Sequence, residues 1–83
     1  MNTEDFTILQ EDFLATARKN LQPQDEEEFS DVIQEALWQV SDWYNNESYY
    51  GKPEDILQDY FFLTAEQAHK YLPIFIEHLR GNK

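Results

Sequence analysis

Few residues in this chain have the type and spacing that chemistry requires. Glu66 and His69 stand three apart, the spacing that carboxylate-bridged di-iron bundles place on one helix face. Such a centre needs a second Glu-x-x-His pair and two further glutamates. No second pair exists, and His78 would point about 180° away from His69 at 100° per residue. Cysteine is absent, so neither a disulfide framework nor a thiolate metal site is available. Ser30, Ser41 and Ser48 lack the strained elbow that activates a nucleophile, and no Gly-rich loop could cradle a phosphate. The residues therefore imply no catalytic group, no metal and no cofactor, and the chain reads as non-enzymatic.

Charge is the stronger signal. Seventeen acidic side chains against six basic ones leave a net charge of −11. Such a field repels nucleic acid and anionic membrane and speeds encounter with a basic protein surface, and it also serves solubility. Glu27, Asp31, Glu35 and Asp42 fall along one side of a helical stretch, where like charges at i, i+4 cost a few tenths of a kcal/mol per pair. Trp38 projects among them. Large aromatics are what interface centres are made of. Two placements remain open for Trp38: covered by another helix or the N-terminal segment, or exposed as the anchor of a contact.

The elements that position these groups are helical. The segment from 53 to 79 organises the rest: a short helix, a tight turn and a longer helix. Pro53 suits a first helical turn because its missing N–H would be unpaired there, and Glu54 and Asp55 favour the positive end of the helix dipole. Ile56, Leu57, Tyr60 and Phe61 mark a buried face over about two turns. In Leu63-Thr64-Ala65-Glu66-Gln67, Thr64 can accept from the N–H of Gln67 while the Gln67 side chain reaches back to the N–H of Thr64, a capping box. Ala65, Ala68, Leu72, Phe75, Ile76 and Leu79 keep one phase past Pro73, which predicts a single helix bent at the proline and ending near Gly81.

A first helix is expected from about Asp5 to Leu21, with Phe6, Leu9, Phe13, Ala17 and Leu21 on its inner face and Leu14 beside them. A second should open near Pro23 and run to about Asn45. Phe29, Val32, Ile33, Ala36, Leu37, Val40, Trp43 and Tyr44 occupy an arc of about 140° on it, which predicts the central helix. Its acidic start, Asp25 to Glu28, is also what the dipole favours. Residues 45–52 form a connecting loop in which Tyr49 and Tyr50 either fold back on the core or present a contact surface.

Eighty-three residues suit one domain with a modest core, and a composition 16% aromatic supplies the material to bury. No basic region precedes an apolar run, and no segment approaches the roughly 20 apolar residues of a membrane span. A cytoplasmic location is expected. The fold class is all-α: a compact bundle of three to four helices with a C-terminal helix-turn-helix-like pair, the second and fourth helices forming the core.

Across that pair, Glu54-Asp55-Ile56-Leu57-Gln58-Asp59-Tyr60-Phe61-Phe62-Leu63-Thr64-Ala65-Glu66 resembles the helix-turn-helix tail of a small family related to VapB-type antitoxins. The resemblance covers a short stretch only and implies a non-enzymatic role with a toxin partner or DNA. This chain lacks the N-terminal strand arm of that pattern. Its would-be recognition helix sets Lys70 and Arg80 against Glu66 and Glu77, too few cations for the phosphate contacts that dominate DNA affinity.

The reading is an acidic interaction domain that binds and neutralises or regulates a basic protein, of the immunity, antitoxin or inhibitor type, such as a toxin or a nucleic-acid-binding enzyme. Trp38, Glu27, Asp31, Glu35, Asp42, Tyr49 and Tyr50 are the candidate partner-binding residues. Approximate imitation of nucleic acid is one version, since carboxylates one turn apart, about 6 Å, are coarser than the roughly 3.4 Å spacing of strand phosphates. The alternatives are a helix-turn-helix regulator that binds nucleic acid, and an assembly subunit, including a homo-oligomer.

Overall fold

The computed structural model describes residues 3–47 and 51–81. Among them are four helices and no strand: α1 (Thr3–Leu21), α2 (Glu26–Tyr44), α3 (Pro53–Phe61) and α4 (Ala65–Gly81). Tyr49 and Tyr50 lie outside the described residues.

Each boundary has a local cause. Gln22 takes a left-handed conformation (φ 46°) ahead of Pro23, and its N–H donates to the Arg18 carbonyl at 2.9 Å, so α1 closes where the sequence predicts. Helix α2 opens later than expected because Asp25 is its cap. The Asp25 carboxylate accepts from the Glu28 N–H at 2.8 Å, which leaves Pro23 in the connector. Pro53 occupies the first turn of α3 as predicted. At the start of α4 both bonds of the capping box form, each 3.1 Å long, between Thr64 and Gln67. Thr64→Ala should therefore lower stability by about 1 kcal/mol, read from the urea midpoint, with Gln67→Ala costing less. Helix α4 passes through Pro73 as one element.

The three-residue turn between α3 and α4 holds a left-handed aromatic. Phe62 has φ 53° at the C-terminus of α3, a position glycine takes at little cost, and the residue is 68% exposed. From α1 the Asn20 side-chain amide donates to the carbonyls of Phe61 (3.0 Å) and Phe62 (3.2 Å), satisfying acceptors that the end of α3 leaves open. The usual order of helix preference should invert here: Phe62→Gly is expected to be more stable than Phe62→Ala by about 1 kcal/mol in thermal melts.

The packing centre is the α3–α4 pair, with α1 and α2 both laid on it and scarcely touching each other. This corrects the expectation that α2 is central. Its apolar stripe is real, but only Phe29, Ala36 and Val40 are buried, while Val32, Ile33, Leu37 and Trp43 are half-covered and Tyr44 is exposed. The short α3 is the deeper element, with Pro53, Ile56, Leu57 and Phe61 all buried. On α4 the buried line is Ala68, Tyr71 and Phe75, so the inward direction is rotated from the predicted stripe toward Tyr71, and Ala65 is exposed.

Phe13 joins these layers. Its ring meets Phe61 at 5.1 Å, Tyr71 at 5.4 Å and Phe75 at 5.5 Å, each edge to face, the arrangement that aromatic quadrupoles favour. Tyr71 keeps its hydroxyl satisfied at the margin by donating to Asp12 at 2.8 Å, with the Thr16 hydroxyl 3.2 Å away. Lys70 donates to the same carboxylate at 2.9 Å. The Lys70 ammonium first, and the Tyr71 hydroxyl second, hold the Asp12 carboxyl below its ordinary value of 3.8. A folded-state value depressed below the unfolded one contributes stability above about pH 4, lost as pH falls through the folded value. Asp12→Asn should accordingly flatten the acid limb of a stability-versus-pH curve measured by urea denaturation.

Candidate functional site

The side of α2 turned away from Phe29, Ala36 and Val40 carries Glu27, Asp31, Glu35, Trp38 and Asp42, and all five side chains are exposed. Helical spacing sets them there, since the five positions lie within a narrow arc opposite the core residues at 100° per residue. Trp38 is 62% exposed, so no described element covers it. Of the two placements the sequence leaves open for the indole, the fold adopts the exposed one. Beside it the N-terminal half of the ridge, with Asp25, Glu28 and Val32, lines a shallow hollow of about 310 Å³.

No described cation pairs with the ridge. Arg18, in the last turn of α1, is bound by Glu26 at the start of α2 and lies 4.4 Å from the Phe29 ring centroid. Glu26 is held below its ordinary value of 4.5 chiefly by that guanidinium. Lys70 pairs with Asp12 and Arg80 with Glu77, both away from the ridge. Among the described residues, Glu27, Asp31, Glu35 and Asp42 form no ion pair. Glu27, Asp31 and Glu35 repeat at i, i+4, so each neighbouring pair repels by a few tenths of a kcal/mol.

Glu66 and His69 share α4, three positions apart. His69 Nδ1 lies 3.2 Å from the Glu54 carboxylate across the α3–α4 turn, with the imidazole largely exposed. Among the described residues no group of three or more potential ligands is placed to hold a metal ion. No described helix is long and apolar enough to cross a membrane.

A second surface was not legible as a site. Helices α1 and α2 diverge over α4 and leave a groove of about 710 Å³, floored by Phe13 and Phe75 and walled by Leu14, Ile33, Leu37 and Ile74. The one sequence signal was Leu14, standing just off the inner stripe of α1; in the fold it is 39% exposed. No family model, curated protein or solved structure matches the chain.

Proposed function

We propose that this is an acidic, non-enzymatic interaction domain that docks on a basic protein and neutralises or regulates it. The observation that carries the reading is Trp38, 62% exposed in a row of carboxylates that no described cation of the chain pairs. A half-solvated indole on a charged helix costs solvation and gives the isolated domain little packing, whereas at an interface it supplies the buried aromatic anchor on which affinity depends. The carboxylates around it act at longer range. They draw a cationic surface toward the ridge and set its orientation before contact.

The two roles separate kinetically. Capture from lysate at low and high salt identifies the partner, and association is then measured against ionic strength. Asp31→Lys with Glu35→Lys is expected to slow association about tenfold or more at low salt and much less at high salt, because screening removes the same attraction. An association rate indifferent to ionic strength would rule out steering by the ridge. A captured partner that is acidic, or a second copy of the chain found by mass in solution, would replace the reading with an assembly role.

A further inference from the structure

We infer that the groove between α1, α2 and α4 receives an amphipathic helix of a partner protein whose apolar stripe is flanked by lysine or arginine. The inference shares with the reading above a basic partner, and it adds a surface and a partner element that Trp38 does not specify.

The groove follows from the way the helices are laid out. Because α1 and α2 rest on the α3–α4 pair and meet each other lightly, where Arg18 bonds Glu26 and lies over Phe29, the seam between them stays open around Leu14, Ile33 and Leu37. Its floor is the outer side of the aromatic core, Phe13 and Phe75, and its walls are the aliphatic side chains Leu14, Ile33, Leu37 and Ile74. Leu14 is 39% exposed, and Ile33, Leu37 and Ile74 remain half-covered. An apolar groove between two helices is a surface onto which the stripe of a third helix fits, with anchors at i, i+3 or i+4. The described residues present no sheet edge to which a strand could add.

Charge selects among the occupants. Glu11 on the α1 wall and Glu77 on the α4 wall are exposed and both line the groove. Glu77 is only loosely held by Arg80, 3.5 Å away. A second copy would bring another charge of −11 against these carboxylates, and an anionic lipid would bring its headgroup against them. A helix with cations bordering its apolar stripe instead places charge opposite Glu11 and Glu77 while its leucines displace water from Leu14, Ile33 and Leu37.

The test uses the full chain and a synthetic peptide about five turns long. The peptide carries leucines at helical spacing with lysines on either border, and its control is the same composition shuffled out of period. Amide chemical shifts and calorimetry are the readouts. The patterned peptide should bind more tightly than the shuffled one, with shifts centred on Leu14, Leu37 and Ile74. Leu14→Asn, at a position exposed enough to leave the fold intact, should weaken it by about tenfold, and Glu11→Lys with Glu77→Lys should weaken it most at low salt. Trp38→Ala should leave peptide affinity unchanged, which separates failure of the groove from failure of the ridge. Equal binding of the two peptides, no binding of either, shifts centred on Trp38, or groove shifts that depend on protein concentration without peptide would each overturn the inference.

Discussion

Replacing Phe13 by alanine should lower the stability of this protein by about 4 kcal/mol, near the upper end of what a single truncation costs. Phe13 is buried and meets Phe61, Tyr71 and Phe75 edge to face, so truncation removes its own burial and three ring contacts together. An aromatic pair contributes about 0.5 to 1.5 kcal/mol beyond its area, and the void left behind lies beside Phe61, Tyr71 and Phe75 at the floor of the groove. A chain of 83 residues has a stability of about 4 to 12 kcal/mol, so the loss is about a third or more of the total. Phe13→Leu keeps most of the volume and should cost about 1 to 1.5 kcal/mol. Urea denaturation followed by far-UV circular dichroism distinguishes these cases. A loss below about 1.5 kcal/mol for the alanine variant would mean that the ring cluster is not what joins α1 to the α3–α4 pair.

Trp38→Ala is expected to do the opposite: leave stability within about 0.5 kcal/mol of the parent while weakening partner binding by about 2 kcal/mol or more, roughly thirtyfold. The stability half follows from exposure, since a side chain 62% exposed has little burial to lose. The binding half follows from the proposed function and should appear in the dissociation rate, because a short-range anchor acts after encounter. Asp31→Lys with Glu35→Lys should act mainly on the association rate. If Trp38→Ala destabilised the fold by more than about 1.5 kcal/mol, the indole would be a structural side chain and the ridge would lose its anchor.

Much of the fold is written locally. The capping box at Thr64, Pro53 in the first turn of α3 and the stop at Pro23 each depend on neighbours within four residues, and each forms as the sequence implies. The dominance of the 53–79 segment was likewise legible, because its two apolar faces are dense and joined by a short turn that forces them together. The rank of α2 was not. Its stripe of eight apolar residues is the most regular in the chain, yet regularity records which side of a helix faces inward and carries no measure of how deeply it is covered. The turn toward Tyr71 on α4 was missed for a related reason. A tyrosine at a core position depends on a distant acceptor for its hydroxyl, and Asp12 lies 59 positions away.

By itself, then, the sequence determined an all-α fold of three to four helices, most of their ends, the acidic ridge of α2 and the presence of Trp38 within it. These properties arise from i, i+3 and i+4 relations and from charge type, which every short stretch carries with it. Only the tertiary structure decided that no described helix covers Trp38, that Phe13 is the joint of the core, and that α1 and α2 part to leave a groove lined by Leu14, Ile33 and Leu37. Each of those depends on how helices far apart in the chain share the surface of α3 and α4. Two outer helices with equally good stripes can close over a shared seam or leave it open, and the choice rests on the summed fit of side chains across the whole interface.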